Sequence, residues 1–275
     1  MNKQLLTSIN DRICMIYIDQ AEIKQKDFSV IAVSKSIEFD LPIANITCLL
    51  LGPGTSITHR AIEQISKYGC SIVWCGENIN LYYALGQPLT HSSKNIIIQM
   101  NAHESKISKL NIIRKMYELR YTDMKLKSKS ADELMGIEGI HVQNTYKALA
   151  EKYNIQWYGR MYNDIQFREQ DNINKAITSA NQLMYAIIAS VVNTIGYSTA
   201  IGFIHTGKMM SFVYDIADLY KESLVLPVVF EFTSQYVGNS IENDIKKHLY
   251  NKITEVNIID KVIKDITTIF KDVTA

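Results

Sequence analysis

Between Leu85 and Lys94 the apolar residues change period, and no other feature of the chain constrains its fold as much. Before that point they alternate. Ile13, Met15 and Tyr17 alternate with their neighbours, as do Glu22, Lys24 and Lys26, and Val30-Ile31-Ala32-Val33, 46–51, 72–74 and 81–83 are short β-rich runs. One helix interrupts them, opening with Thr58 as its N-cap, carrying Ile62 and Ile65 on one face and ending at Gly69. After Gly86-Gln87-Pro88 the apolar residues recur every three or four positions, as in Ile97, Met100, Ile107, Leu110, Ile113, Met116 and Tyr117. The stretch 177–195, closed by Gly196, reads as a buried helix, and 241–270 supplies two more. The pattern predicts an α+β protein, with a mostly-β domain over 1–88 followed by an all-α domain over 94–275.

A chain of 275 residues with 47% hydrophobic content builds a sizeable core. Its four cysteines, Cys14, Cys48, Cys70 and Cys75, form no Cys-x-x-Cys pair, so they read as reduced core residues and not as a zinc or disulfide framework. Asn10, Asp11 and Arg12 interrupt the N-terminus before any signal core, and no run approaches the ~20 apolar residues of a membrane span. The expectation is a cytoplasmic protein without a membrane partner. A net charge of +1 does not exclude nucleic acid, because positive charge gathers locally from Lys106 to Lys129, where Lys109, Arg114, Lys115, Arg120, Lys125 and Lys127 outnumber Glu118 and Asp123. The Lys-rich patch 125–130 reads as a solvated loop between helices.

Chemistry is concentrated in the helical half. Counted at about 100° per residue, Val142 and Leu149 share a face with Glu138, so that carboxylate points with the apolar stripe and needs a cation, either a metal or a basic side chain from another helix. Gly136 and Gly139 leave room beside it. Asp215 and Asp218, three apart, are expected to share one face of a helix capped by Ser211, with Phe212, Ile216 and Leu219 largely on the other. His205 follows the apolar run Ala200-Ile201-Gly202-Phe203-Ile204; a core hydrogen bond is the alternative to a ligand role. Two aspartates, a glutamate and one imidazole form an oxygen-rich set that suits Mg2+ or Mn2+ and phosphodiester chemistry. Gly202, Gly207 and Lys208 match the glycines and lysine of a phosphate-binding P-loop, but Met209 stands where Ser or Thr must hold magnesium, so a nucleotide hydrolase is set aside. Tyr158, Tyr162, Tyr185 and Tyr214 offer rings for stacking on splayed bases.

At these residues the chain resembles the CRISPR-associated integrase, the larger protein of the spacer-acquisition machinery, in its type I-E form. The resemblance rests on Asp11-Arg12-Ile13, Gly52-Pro53-Gly54-Thr55, Val73-Trp74-Cys75-Gly76-Glu77, the basic run from Arg114 to Arg120, Gly136-Ile137-Glu138-Gly139 and, above all, on the run from Ala200 to Lys208 together with Ser211 to Asp218. It implies a homodimer, two such dimers around a dimer of a small ferredoxin-like partner, and action on double-stranded DNA with single-stranded 3′ ends and on CRISPR repeat DNA. It also implies that Glu138, His205 and Asp218 hold the metal, that Asp215 is a neighbouring essential acid, and that Lys208 and Lys221 contact DNA. Arg114, Arg160, Tyr162, Tyr185 and Tyr214 complete the expected DNA contacts. Gln20 stands where such relatives carry a duplex-bracing tyrosine, and Asn80 where they carry an arginine. The expected activity is a metal-dependent DNA integrase and endonuclease, with a plain nuclease or a non-catalytic DNA-binding scaffold as alternatives.

Overall fold

The computed structural model describes residues 13–76, 82–86, 93–122, 126, 128–161 and 171–273. Tyr162, Asn80, Lys125 and Lys127 lie outside them, as does the side chain of Cys14. The N-terminal half holds two four-stranded sheets. In the first, β1 (Ile13–Ile18), β5 (Ile46–Leu51) and β7 (Ser71–Cys75) run parallel and β8 (Tyr82–Gly86) closes the edge antiparallel, in the order β1-β5-β7-β8. In the second, β4 (Ile37–Leu41), β3 (Ser29–Ser34) and β2 (Glu22–Lys26) form an antiparallel meander, with β6 (Ser56–Ile57) parallel to β2.

Every residue of β5 is buried, because its sheet is covered on both faces and a doubly covered strand reads as one apolar run. Leu49 and Leu51 pack with Ile23, Val30, Ala32 and α1 (His59–Lys67) between the two sheets, while Cys48 and Leu50 face the helical half. The second core therefore continues from the first sheet into the helices, and a bond of 2.7 Å between Ser71 Oγ and Thr194 Oγ1 ties the two halves inside it. Helix α1 opens as expected, with the Thr58 side chain accepting from Ala61 N, and ends at Gly69 in the left-handed region (φ 68°). Cys48, Cys70 and Cys75 are buried, and burial pushes the Cys48 and Cys75 thiols well up.

The helical half is built around α5 (Asn172–Thr194), which Asp171 caps and which is buried on nearly all sides; Gly196 (φ 81°) ends the run. Around it lie α2 (Lys94–Glu104), α3 (Lys106–Arg120), α4 (Ala131–Tyr153), α6 (Ser211–Tyr220), α7 (Leu226–Ser234), α8 (Ile241–Glu255) and α9 (Ile258–Phe270). A π-helical turn, Lys221–Val225, joins α6 to α7. Pro227 explains its place: it has no N–H to give to Ser223, and its ring crowds that carbonyl, so the helix widens there. Among the described residues no helix is long and apolar enough to cross a membrane.

Three local expectations are corrected. Ile97 and Met100 are exposed (41% and 50%), because α2 turns a polar ridge inward instead, and Ile107, in the first turn of α3, is exposed at 76%. Asn95 and Gln99 donate to the carbonyls of Ile195, Ser198 and Ile201, His103 meets that of Gly202, and Ser198 N donates back to Gln99. Those carbonyls, partly withdrawn from water, need partners, and that need outweighs the burial of an isoleucine. Leu126, placed in a solvated loop by its lysine neighbours, is buried, and Ser130 forms a capping box with Glu133 at the start of α4. Ser211 is not the N-cap of α6 but its first residue; its hydroxyl bonds the backbone of Lys208 and so folds the preceding turn.

Candidate active site

The polar ridge of α2 fixes residues 195–202, and the next three are fixed from the other side. Asp215 on α6 is fully buried, and its carboxylate accepts N–H groups from Phe203 (2.5 Å), Ile204 (3.2 Å) and His205 (2.8 Å). Its Oδ1 also takes His205 Nδ1 at 2.9 Å, and since an ionised carboxylate only accepts, Nδ1 carries the proton. That leaves Nε2 as the ring nitrogen with a free lone pair. It faces Asp218 Oδ2 at 3.9 Å. Gly202 is required here, because a Cβ would collide with the His205 carbonyl and with Ser211.

Asp215 and Asp218 therefore do not form one solvated acidic face: Asp215 turns to the loop and Asp218 to a cavity. This cavity, of about 680 Å³, is bordered by Glu138, His205, Asp218, Lys147, Arg160 and Lys221. His205 is no core histidine, since its side chain is 44% exposed. Its hydrogen bond to Asp215 raises its pKa against the opposing effect of burial, and the Asp218 and Glu138 charges add to the rise. Burial pushes the Asp218 carboxyl up, with the Glu138 charge adding, while Lys221 (Nζ 3.8 Å away) and Arg120 oppose the shift.

Glu138 has the cation from another helix that its inward face demanded. Arg120 on α3 pairs with its Oε1, and the Tyr117 hydroxyl donates to Oε2 at 2.5 Å. Burial disfavours the charged form of Arg120, but Glu138 and Asp218 outweigh it and hold the guanidinium above its ordinary pKa. A Cβ on Gly136 or Gly139 would meet open space, so packing within the chain does not demand glycine at either position. Sequence reading missed Arg120, Tyr117 and Glu222 as parts of the site. The available signal was an arginine flanked at helical spacing by two tyrosines, Tyr117 and Tyr121, on the face that carries Ile113 and Met116.

Among the described residues, no three His, Cys, Asp or Glu side chains stand close enough together to hold a metal ion as placed. The donor chemistry nevertheless fits one. Two ligands about 2.1 Å from a common ion lie no more than about 4.2 Å apart, and His205 Nε2 and Asp218 Oδ2 meet that condition at 3.9 Å. Glu138 borders the same cavity, with both oxygens keeping lone pairs beyond the bonds they accept.

The expected DNA contacts divide. Lys208 is exposed on the His205 loop, and Lys221 and Arg160 border the cavity, the latter anchored on Asn174 Oδ1 (2.8 Å) and Thr178 Oγ1 (2.7 Å). Arg114 is not brought to the site: it donates to the Lys129 carbonyl and lines a separate groove beside Lys115 and Asp272. Tyr214 stands edge-on to His205 (5.8 Å between ring centroids), and Tyr185 edge-on to Tyr214 (4.9 Å), so these rings brace the histidine from behind. Gln20 lies exposed with its amide folded over the 53–54 turn.

The family model described as CRISPR associated protein Cas1 matches residues 118–265, the segment holding Glu138, His205, Asp215 and Asp218. A solved TtCas1–DNA complex superposes with a TM-score of 0.82 at 28% identity, covering 98% of this chain and all of that one. A casposase bound to integration product shares the fold alone (TM-score 0.65, 17% identity). The fold, with a β-rich N-terminal half and a helical half that bears the acids, is that of a CRISPR-associated protein. The chain belongs to the Cas1 family. It is 32% identical over 98% of its length to a CRISPR-associated endonuclease Cas1 2 of Chlorobaculum tepidum, covering 91% of that protein. To the CRISPR-associated endonuclease Cas1 of Escherichia coli K12 it is 35% identical, over 84% of this chain and 76% of that one.

Proposed function

We propose that the chain is a metal-dependent DNA integrase and endonuclease that inserts short DNA fragments into a CRISPR array. The 3′-hydroxyl of the fragment attacks a phosphodiester of the repeat, so that one strand is joined as the other is released. The reading rests on one observation: His205 Nε2 faces Asp218 Oδ2 across a cavity that Glu138 also borders. Magnesium or manganese held by Glu138, His205 and Asp218 would activate the hydroxyl and neutralise charge on the phosphorane-like transition state. Asp215 holds the imidazole in the tautomer that points Nε2 at the cavity, and Asp215 itself is buried away from any substrate. Lys147, Arg160 and Lys221 present positive charge along the rim, where the phosphates on either side of the reacting one would run.

The partners follow the same reading. Duplex DNA with single-stranded 3′ ends and the repeat are the substrates, and a small ferredoxin-like protein bridges two dimers. Phe28, Ile37 and Phe39, exposed at 98%, 57% and 53% on the β2–β3 turn and the edge strand β4, offer the apolar area a homodimer would bury.

The deciding experiment incubates the protein with a 3′-hydroxyl donor and supercoiled plasmid. Joined product that needs Mg2+ or Mn2+ and is lost in Glu138→Ala is the expected result. Nicking without joining would make the chain a plain nuclease, and unchanged joining by Glu138→Ala would remove the metal assignment.

A further inference from the structure

Glu222 does not border the cavity, yet its carboxylate is heavily bonded beside it. It sits on the π-helical turn, 10% exposed, and accepts five hydrogen bonds. Arg120 Nε (3.0 Å), Arg120 Nη2 (2.8 Å) and the Tyr121 hydroxyl (2.8 Å) converge on Oε1, and His141 Nδ1 (2.9 Å) and Thr145 Oγ1 (2.8 Å) on Oε2. A buried carboxylate so satisfied cannot rotate without stranding several donors, which makes it a fixed point.

Arg120 inherits that rigidity. Two of its three nitrogens, Nε and Nη2 along one edge of the planar fork, are committed to Glu222, and Nη1 is aimed at Glu138 Oε1 while Tyr117 takes Oε2. Lysine could not do the same, since a point charge on a flexible stem cannot hold two carboxylates at a set angle. Three elements meet here: α3 brings Tyr117, Arg120 and Tyr121, α4 brings Glu138, His141 and Thr145, and the π-helical turn brings Glu222. Asp218 lies on the helix that runs straight into that turn, so Glu222 also couples the glutamate on α4 to the aspartate on α6.

We infer that Glu222 and Arg120 are positioning residues: Glu222 fixes the Arg120 guanidinium, and Arg120 with Tyr117 fixes the Glu138 carboxylate at the distance and angle at which it meets a cation shared with His205 and Asp218. The inference rests on the proposed ligand role of Glu138. Its physical basis is general, since a ligating carboxylate loses affinity when the groups that orient it are removed, by about 10- to 100-fold. With Glu222 neutral, Arg120 is free to turn both edges onto Glu138 and to neutralise the charge a cation needs.

The test is Mn2+ binding to the full chain without DNA, followed by the loss of the free-ion electron paramagnetic resonance signal, with the melting temperature of each variant recorded alongside. Glu222→Gln and Arg120→Lys are expected to weaken Mn2+ binding about 10- to 100-fold, and Tyr121→Phe, which removes one of the five bonds to Glu222, is expected to weaken it in the same direction but by less. Should Glu222→Gln not fold, Thr145→Val decides: Thr145 does not border the cavity but bonds Glu222, and a weakening in the same direction is expected. If Glu138→Ala loses the ion while the folded Glu222 and Arg120 variants, or Thr145→Val in their place, bind it as wild type does, the relay is wrong and the ligand assignment stands. If Glu138→Ala binds Mn2+ as tightly as wild type, the ligand assignment itself falls, and the inference with it.

Discussion

Asp215 holds His205 twice, through the backbone N–H at 2.8 Å and through ring Nδ1 at 2.9 Å, both on the same carboxylate oxygen. The other oxygen takes Phe203 and Ile204, so one buried aspartate replaces the regular structure that this turn lacks. Asp215→Asn keeps the size of the side chain but presents an NH2 group to N–H donors. It is expected to destabilise the fold by about 2–4 kcal/mol, because hydrogen bonds to a charged group are lost and buried donors are stranded, and to abolish protection of the 203–205 amides from hydrogen exchange. The His205 titration supplies a second readout. Its folded pKa is raised above the ordinary imidazole value chiefly by Asp215, so that contribution to stability is complete at pH below the unfolded value and is lost as pH rises through the folded one. The ring signal should titrate at lower pH in the variant. Amides that stay protected, with an unmoved titration, would show that Asp215 is dispensable for the loop.

The same logic with the opposite sign applies to Glu222. Burial alone would raise its pKa, but the bonds from His141, Thr145 and Tyr121 and the Arg120 charge overcome that and bring it down from 4.5 to about 2. A depressed carboxyl contributes stability above the unfolded pKa, and the contribution is lost as pH falls through the folded one. The shift corresponds to something on the order of 3 kcal/mol. Glu222→Gln should thus be clearly less stable than wild type from neutral pH down to about pH 4.5, and the two unfolding curves should converge as pH approaches 2. A gap that persists undiminished at the acid end would place the loss in packing and not in charge.

Much of this was legible in the sequence, and the reasons differ by element. Period two before Leu85 and period three to four after Lys94 gave the α+β order, because sheet and helix each bury one face and the repeat follows the geometry. Glu138 was read as inward-facing with a need for a cation, and so it stands. Asp215 was misplaced because helical spacing says which residues share a face but not that a loop ten residues earlier will present three N–H groups to one of them. The inward face of α2 was misread for a related reason: Asn95, Gln99 and His103 at i, i+4 and i+8 look like a solvated ridge until the carbonyls of 195–202 are known to lie beneath it. Glu222 was invisible as a hub, since its partners come from helices about 80 to 100 residues away.

That ridge yields its own prediction. Gln99 is wholly buried and makes three hydrogen bonds to the loop, two given and one taken. Gln99→Leu roughly keeps the volume and removes the bonds, leaving three part-buried backbone groups without their side-chain partner, at a cost of about 1–3 kcal/mol for each one that water cannot reach. The variant should open to limited proteolysis between 198 and 205 well before it unfolds in urea. Cleavage appearing only together with global unfolding would mean that the loop is held by Asp215 alone.

Lys208 and Arg114 were both expected to touch DNA, and the structure separates them. Lys208 extends from the exposed His205 loop, whereas Arg114 Nε donates to the Lys129 carbonyl in a groove apart from the cavity. Each phosphate contact releases counterions, so the slope of log affinity against log salt counts the cations engaged. Lys208→Ala should flatten that slope by about one and weaken binding evenly across DNA sequences. Arg114→Ala should leave the slope unchanged and instead lower the melting temperature, because the end of the segment before α4 loses its anchor on α3. The measurement is a salt titration of duplex binding with both variants side by side. Equal slopes in Lys208→Ala and wild type, with a reduced slope in Arg114→Ala, would move the DNA path from the rim of the His205–Asp218 cavity to the groove beside Lys115.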